Sequence, residues 1–401
     1  MSRRRLFGSL CSMVFLVNLA RVVFAPLLEP LAASFEVSVG TLGVVTAAAW
    51  FGSAVPRVPT GWLLTRVSRH RVVALAGGVL FTASLATAFA PTVGALTGGA
   101  FLMGLASGAY FIAANPLVSE LYPERVGRAL GVHGMASQTA AVLAPLLVAA
   151  VLFLADWQLT FLLIAAAAVV ATTGLLFAVR RADLPEAGTA DRDLIGAVRA
   201  QWPIVLTGIV IVGSIGFVWN GLFNYYVSYL IAKGLPQSTA NLLLSVVFGA
   251  GIPAFLITGR LADRFPNVPL LLGVIGSFIA SVALLTLASG LVALVAVSVL
   301  LGYVIHSLFP VIDTYLLASL PDRHRASAYT AYSATMMLPQ AAGSLVVGYA
   351  SENGIPGVFP EALSFDQIFL GLVGCLSVVL AGLLVFYVTG RLPAGRIPSE
   401  A

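Results

Sequence analysis

The chain has 401 residues, of which 59% are hydrophobic and only 9% are charged, and its formal net charge is +5 at pH 7. An ordinary soluble domain carries about 25% charged residues and exposes few large apolar patches. This composition therefore excludes a water-soluble globular protein and indicates one that is embedded in a lipid bilayer.

Twelve apolar runs approach or exceed the length of about 20 residues that a membrane-spanning helix needs. In chain order they cover residues 6–30, 40–64, 71–90, 93–119, 128–153, 157–179, 203–231, 239–258, 268–288, 291–317, 327–350 and 366–389. The first run resembles a signal peptide as far as Ala20, but it continues well beyond that residue, so we expect it to be retained as the first span. The longest polar stretch, 181–202, separates the sixth span from the seventh.

The positions of the arginines predict how these spans are oriented, because Lys and Arg accumulate in cytoplasmic loops. If the N-terminus is inside, 18 of the 21 basic residues face the cytoplasm. Lys233 then lies outside, and Arg21 and Arg57 lie within spans. We expect a multi-pass protein of the cell (inner) membrane with both termini cytoplasmic. Arginines placed in this way serve topology and lipid contact, which disfavours nucleic acid as a partner.

A fixed offset of 198 residues relates the two halves of the chain. It pairs Gly61 with Gly259, Arg66 with Arg264, Gly104 with Gly302, Asn115 with Asp313, and Pro123 with Pro321. The predicted fold is an all-α membrane protein with twelve transmembrane helices in two pseudo-symmetric six-helix bundles. The bundles cover residues 1–180 and 203–401, and residues 181–202 form a cytoplasmic linker.

The loop after the second span of each half carries a recognisable motif, GWLLTRV at 61–67 and GRLADRF at 259–265. With LYPERVGRALG and LPDRHRASAY after spans four and ten, the chain resembles the major facilitator superfamily over nearly its whole length. The resemblance implies a secondary transporter that works by alternating access and needs no cofactor. Thr65 departs from the usual Asp of the first motif. Span five keeps Pro145 but lacks the glycines of the drug-antiporter signature.

In this family the motif loop is understood as a conformational latch. We expect Asp263 to lie at a membrane edge, where it accepts hydrogen bonds from a helix N-terminus or pairs with Arg264 or Arg323. Gly259 is expected to let two helices approach closely. The alternative is that these residues only set topology. The candidate gate or latch residues are Arg57, Gly61, Arg66, Glu120, Gly259, Asp263, Arg264 and Arg323.

Arg21, Arg57 and Asp313 are charged residues within spans, where each costs about 2.5–3.5 kcal/mol on insertion scales and is expected to face the protein interior. Asn18 and Arg21 are three residues apart and share a helix face. A guanidinium there suits capture of a carboxylate or another oxyanion, and the alternative is a structural arginine paired with protein groups. Arg57 lies nearer the cytoplasmic end, with Asp313 or Glu120 as its candidate partner.

The other site candidates lie on spans seven, ten and eleven. His306 and Asp313 share a face of span ten and are candidates for proton coupling, because His titrates near neutral pH, although His306 could also serve only as a hydrogen-bonding group. The tyrosines of span seven could instead form an interfacial belt. His133 and Gln138 on span five are weaker candidates. The remaining substrate-binding candidates are Trp219, Asn220, Asn224, Tyr225, Tyr303 and Tyr332.

The sequence predicts a secondary active transporter that moves a small solute, an organic or inorganic anion, by alternating access and with protons. An ATP-driven pump is excluded, since Lys233 is the only lysine and lies in no phosphate loop. The four histidines have no zinc-ligand spacing, so we expect neither a metal site nor an enzyme. Efflux of amphipathic compounds and a non-transporting membrane sensor are the alternatives. The expected partners are the substrate, the bilayer and a proton or other coupling ion, and the expected state is a monomer.

Overall fold

The computed structural model describes residues 2–64, 66–180, 194–320, 328 and 331–390. Within these ranges the regular structure is helical, apart from one isolated bridge between Ile355 and Phe359. The chain divides into two compact units, Met1–Asp191 and Arg192–Ala401. The all-α class that the hydropathy pattern predicts is confirmed.

The first unit contains eight α-helices among its described residues. They are α1 (Ser2–Val22), α2 (Phe24–Phe35), α3 (Gly43–Ala54), α4 (Arg57–Leu63), α5 (Arg69–Ala88), α6 (Val93–Leu121), α7 (Val126–Leu154) and α8 (Gln158–Val179). Val23 joins α1 to α2 and is itself in the right-handed helical region, with φ −65° and ψ −22°. The two helices therefore follow the single first span that the sequence predicts.

The second unit also contains eight named α-helices among its described residues. They are α9 (Leu194–Asn224), α10 (Tyr226–Ala232), α11 (Gln237–Gly249), α12 (Gly251–Arg264), α13 (Asn267–Leu287), α14 (Leu291–Ser319), α15 (Met337–Asn353) and α16 (Phe365–Val388). A short helical segment over 331–335 precedes α15.

Ten helical stretches in the described part of the chain are long and apolar enough to cross a membrane. The other two predicted spans, 40–64 and 327–350, are interrupted. Pro56 separates α3 from α4, because proline lacks the N–H that would continue the helix. Met336 separates the segment over 331–335 from α15. Hydropathy thus located the spans but not the breaks inside them.

The predicted linker, 181–202, is partly helical in the structure. Helix α9 begins at Leu194, and Gln201 interrupts it with φ −120° and ψ 22°, two residues before Pro203. Pro203 lacks a backbone N–H and its ring crowds the preceding turn, which favours a kink close to this point. The helix that contains the seventh span therefore starts within the predicted linker, before the kink. The boundary between the two units falls between Asp191 and Arg192, within the predicted linker.

One helix contact recurs at equivalent positions of the two units. In the first unit, a Cβ built on Gly104 of α6 would lie 2.0 Å from the backbone oxygen of Ala49 on α3. In the second, a Cβ built on Gly302 of α14 would lie 2.1 Å from the backbone oxygen of Val247 on α11. Both residues of this pair differ by the same 198 positions from their counterparts. Glycine is required at each place because the helix backbones touch.

Lys233 ties together three helices at one end of the second unit. Its Nζ donates to the backbone oxygens of Thr286, at 2.9 Å, and Ala288, at 3.1 Å, where α13 ends. The same ammonium lies 3.7 Å from Asp366 Oδ1 on α16 and 5.1 Å from the ring centre of Tyr229 on α10. A cation at a helix C-terminus also offsets the negative end of the helix dipole.

Candidate functional site

Arg21 lies near the end of α1 and contacts polar and aromatic groups of the first unit. Its Nη2 donates to Asn18 Oδ1 at 2.7 Å, and its Nη1 makes a long hydrogen bond of 3.5 Å to Ser53 Oγ. Its guanidinium carbon lies 4.3 Å from the ring centre of Trp50 and 5.9 Å from that of Phe111. We call these five residues the Arg21 cluster.

The guanidinium of Arg21 retains unused hydrogen-bond donors. A guanidinium has five N–H groups, and the described bonds of Arg21 use two of them. Its Nε is buried and has no hydrogen-bond partner among the residues that the structure describes. An unpaired buried donor costs about 1–3 kcal/mol, and more when it is charged. Within the described residues no carboxylate pairs with Arg21. The alternative of a structural arginine paired with protein groups stays open, because Asn18, Ser53 and Trp50 all contact the guanidinium.

Arg57 adds a second positive charge to the same region. It is half-buried and donates from Nε to the backbone oxygen of Ser53 at 3.3 Å. It is close enough to Arg21 for the two like charges to repel each other. Arg57 therefore acts on Arg21 with a charge of the same sign and does not neutralise it.

Asn18 links Arg21 to a neighbouring helix. Its Oδ1 accepts the bond from Arg21, and its Nδ2 donates to the backbone oxygen of Ser137 on α7 at 2.8 Å. The side chain is almost completely buried. Its described bonds thus give Asn18 a positioning role, since it holds the guanidinium at a set distance from α7.

His306 of α14 is buried in the second unit with only 4% of its surface exposed. Its Nδ1 donates to the backbone oxygen of Gly302 at 2.7 Å, so proton exchange would take place at Nε2. Four aromatic rings surround the imidazole, with ring centres 6.0–6.4 Å away. They belong to Trp219, Phe248, Phe255 and Phe309, and we call this group the His306 cage.

The missing side chain of Gly251 makes room for the imidazole. A Cβ built on Gly251, at the start of α12, would lie 2.5 Å from His306 Cγ. In the first unit the glycine of the equivalent pair lies on the other helix. There Gly108 of α6 faces Ser53 of α3, and a Cβ built on Gly108 would lie 2.2 Å from the backbone oxygen of Ser53. Gly108 and Ser53 are the positions 198 residues before His306 and Gly251.

The four aromatic residues of the His306 cage are the counterparts of Arg57 and of three members of the Arg21 cluster in the duplicated chain. The offset of 198 residues pairs Arg21 with Trp219, Trp50 with Phe248, Arg57 with Phe255, and Phe111 with Phe309. Two positions that carry guanidinium groups in the first unit therefore carry aromatic rings in the second. The other two positions are aromatic in both units.

The polar residues of the seventh span pack inside the second unit. Asn220 and Asn224 are each 1% exposed, and Asn224 Nδ2 donates to the backbone oxygen of Asn220 at 2.8 Å. Tyr225, Tyr226 and Tyr229 are all buried as well. These three tyrosines are not on a lipid-facing surface, so the alternative of an interfacial belt was wrong for them.

The predicted inward face of the tenth span is divided in the structure. Tyr303 lines a cavity of about 290 Å³ bounded by α12, α13 and α14, whereas His306 faces its aromatic cage. Asp313 is half-buried further along α14. On the eleventh span, Tyr332 is buried against Gly208 of α9. By their described contacts, these residues do not form one common site.

Two expectations about the gate residues change with the structure. Glu120, a candidate partner of Arg57, makes its described ion pair with Arg69, where Oε1 and Nη1 are 2.6 Å apart. The close helix approach expected at Gly259 is not found among the described residues, because a Cβ built there meets no atom within 4 Å. The same is true of Gly61. Arginine and glycine residues recur along this chain, and their local spacing does not say which of them makes a contact.

The other latch candidates are only partly described. Arg66 is exposed, and its guanidinium carbon lies 4.2 Å from the ring centre of Trp62. Asp263 and Arg264 end α12, where Arg264 is exposed and the side chain of Asp263 lies outside the described part of the structure. Arg323 lies outside the described residues. The latch role of this set stays a prediction.

His133, a weaker candidate, has a structural partner. Its Nε2 lies 2.8 Å from Tyr110 Oη, which also donates to the backbone oxygen of Leu10 at 2.6 Å. His133 and Tyr110 are both buried. These bonds join α1, α6 and α7, the helices that hold Arg21 and Phe111.

Sequence reasoning missed Trp50, Ser53 and Phe111. The first two had a signal, since Trp50, Ser53 and Arg57 are spaced by three and four residues and share a face of a span rich in Ala and Gly. Phe111 had none, because it is one of 23 phenylalanines and its closeness to Arg21 is a tertiary contact.

Comparison with known proteins gives a consistent result. The sequence profile described as Major Facilitator Superfamily matches residues 10–344 and 236–399. The uncharacterized MFS-type transporter YwfA of Bacillus subtilis is 24% identical over 386 residues, covering 93% of this chain and 89% of YwfA. The gentisate transporter of Corynebacterium glutamicum is 26% identical over 306 residues, covering 71% of this chain and 67% of that protein. The crystal structure of a D-xylose-proton symporter superposes with a TM-score of 0.77 at 16% identity, covering 99% of both chains.

Proposed function

This chain belongs to the Major Facilitator Superfamily, and we propose that it carries a small organic anion across the membrane together with protons. As a member of that family it is a secondary transporter and not an enzyme. We further propose that it works as a monomer in the inner membrane, with both termini in the cytoplasm.

The Arg21 cluster is the observation that supports an anionic substrate. Arg21 is charged, has an unpaired buried Nε and no carboxylate partner among the described residues, and lies close to Arg57. Leaving such a charge uncompensated in a membrane is costly, and an incoming anion would supply the missing partner. A cationic substrate would be repelled by the Arg21 guanidinium.

A relative supports an organic rather than an inorganic anion. The gentisate transporter of Corynebacterium glutamicum shares 26% identity with this chain, and gentisate is an organic anion. At this identity the substrate itself does not carry over. The class of substrate is the part that agrees with the chemistry around Arg21.

His306 and Asp313 are the residues that we propose for proton coupling. Imidazole exchanges protons near neutral pH, and the bond from Nδ1 to Gly302 leaves Nε2 as the position for exchange. Asp313 lies on the same helix, two turns further along. Coupling would let an inward proton gradient drive the accumulation of an anion.

The anion proposal is tested by uptake of radiolabelled carboxylates into proteoliposomes that contain the purified protein. We expect Arg21→Gln to lower kcat/KM by at least about tenfold, because a charge-assisted hydrogen bond is worth about 1.5–3 kcal/mol. Arg5→Gln is the matched control, since Arg5 lies on the same helix α1 and is exposed. Uptake by Arg21→Gln at the parent rate would refute the anion proposal.

Proton coupling is tested by comparing two modes of transport in the same vesicles. Uptake driven by an imposed pH gradient needs coupling, whereas exchange of labelled for unlabelled substrate at equal pH does not. We expect His306→Gln to lose gradient-driven uptake and to keep exchange, and His70→Gln to keep both. A parent protein whose flux ignores the pH gradient would show that protons are not coupled.

A further inference from the structure

We infer that the transported anion is an aromatic carboxylate, whose ring lies against Trp50 and Phe111 while Arg21 holds the carboxylate. This inference rests on the proposed anion transport and names its substrate class. The three residues belong to the first unit and come from α3, α6 and α1. They are separate in sequence and are brought together by the fold.

The two rings are partly open rather than packed into the core. Trp50 and Phe111 are half-buried, whereas Tyr110, the residue next to Phe111, is completely buried. A half-buried aromatic side chain retains apolar surface that a ligand can cover. Here that surface lies beside a guanidinium with unused N–H groups, so apolar and anionic recognition are combined in one place.

The contact with Trp50 leaves N–H groups of Arg21 for a ligand. The guanidinium carbon lies 4.3 Å from the ring centre, which is a cation–π distance. The Nε–H has no hydrogen-bond partner among the described residues, and a guanidinium binds a carboxylate through its N–H groups. We therefore expect Trp50 to contact the guanidinium and the ligand together.

Other classes of anion would use only part of this arrangement. An inorganic anion would bind the guanidinium and leave the rings unused. An aliphatic carboxylate would cover the rings without the electrostatic complement that an aromatic ring gives another ring. An aromatic carboxylate presents a ring and a charged group close together, which matches the adjacency of Arg21, Trp50 and Phe111.

The duplicated positions give separate support. Trp50 and Phe111 correspond to Phe248 and Phe309, so these two positions carry aromatic rings in both units. Phe248 and Phe309 both contact His306, a residue that we propose for proton coupling. Each unit thus surrounds its functional polar side chain with aromatic rings.

The experiment compares two labelled anions of similar size and equal charge, benzoate and cyclohexanecarboxylate, in the proteoliposome assay. Only benzoate has an aromatic ring. We expect the parent protein to show a KM for benzoate about two- to tenfold lower, as aromatic pairing predicts. Trp50→Leu should transport both anions and lose this preference, whereas Trp50→Phe should keep it. Trp202→Leu is the matched control, since Trp202 is exposed on α9.

The possible outcomes test the aromatic substrate class separately from the proposed anion transport. Equal KM values in the parent protein, or transport of sulfate in place of both carboxylates, would overturn the aromatic class and leave anion transport standing. A preference for benzoate that survives in Trp50→Leu and in Phe111→Leu would show that these rings do not recognise the substrate. Transport that is unchanged in Arg21→Gln would instead overturn the anion proposal itself. Thermal unfolding of each purified variant verifies that it is folded.

Discussion

At the scale of single residues, Asn18 shows how an uncharged side chain can control a charged one. It accepts from Arg21 at 2.7 Å and donates to the backbone of Ser137 at 2.8 Å, so it sets the position of the guanidinium relative to α7. Both of these bonds are buried or partly buried, where hydrogen bonds to a charge are stronger than in water. In the function that we propose, this holds Arg21 ready for an anion, and no carboxylate among the described residues neutralises it.

A carboxylate at position 18 should neutralise Arg21. Asn18→Asp places a negative charge within hydrogen-bonding distance of Arg21, where it would compete with the substrate. We expect the KM for the transported anion to rise at least about tenfold, because a charge-assisted bond is worth about 1.5–3 kcal/mol. Asn18→Ala, which adds no charge, should have a smaller effect.

The measurement is the KM for carboxylate uptake in proteoliposomes. Asn353→Asp, at an exposed position at the end of α15, controls for the added charge. A parent-like KM in Asn18→Asp would contradict a role for Asn18 in positioning Arg21.

The sequence predicted part of this site, for physical reasons that apply residue by residue. Arg21 and Asn18 could be found because a charge inside a span is costly and because residues three apart share a helix face. Phe111 could not, since it lies on another helix and helical periodicity says nothing about contacts between helices. For the same reason, the sequence did not show that the close approaches in the described part of the chain include Gly104 and Gly302 but not Gly259.

At the scale of helices, glycine contacts between backbones hold each unit together. The α3–α6 contact has two more such positions beside Gly104, because Cβ atoms built on Gly52 and Gly108 would lie 2.1 and 2.2 Å from backbone oxygens of the facing helix. Lipid tails are as apolar as the helices, so association inside a membrane depends on this kind of close packing.

A methyl group at position 104 should therefore destabilise the protein. In Gly104→Ala the new Cβ would overlap the backbone oxygen of Ala49, and the helices would have to separate. Overpacking of this kind typically costs about 1–3 kcal/mol. We expect a lower Tm by thermal unfolding in detergent.

Gly98→Ala is the matched control, because Gly98 lies on the same helix and a Cβ there meets nothing within 4 Å. Alanine is the better helix former, so this variant should be as stable as the parent or slightly more stable. Equal Tm values for the two variants would mean that α3 and α6 do not depend on this contact.

At the scale of the whole molecule, the distribution of basic residues gives a prediction about topology. With 18 of 21 basic residues assigned to cytoplasmic loops, we expect both termini inside the cell and Lys233 outside. Green fluorescent protein fused to the C-terminus should fluoresce, and alkaline phosphatase fused there should be inactive. Alkaline phosphatase inserted after Lys233 should be active, and the reverse pattern would show that the chain is inverted.

The internal repeat could be predicted from sequence at this scale because it depends on spacing alone. Landmarks such as Gly104 and Gly302 fixed the offset of 198 residues, and the same offset relates their contacts with Ala49 and Val247. The offset could not say how the copies had diverged. The two copies carry different side chains at equivalent positions, such as Arg21 and Trp219. What each side chain contacts is known only from the structure.

The fit of His306 against Gly251 has a consequence for the descent of this protein. The imidazole occupies the volume that any larger residue at position 251 would take, with 2.5 Å between a built Cβ and the ring. The residue at position 306 therefore limits which residues fit at position 251, and the reverse also holds. The two positions should covary among descendants of the same ancestor. Lineages that retain the histidine should retain glycine at position 251. Lineages that lose it should be free to acquire serine there, the residue that the first copy has at the equivalent position, Ser53.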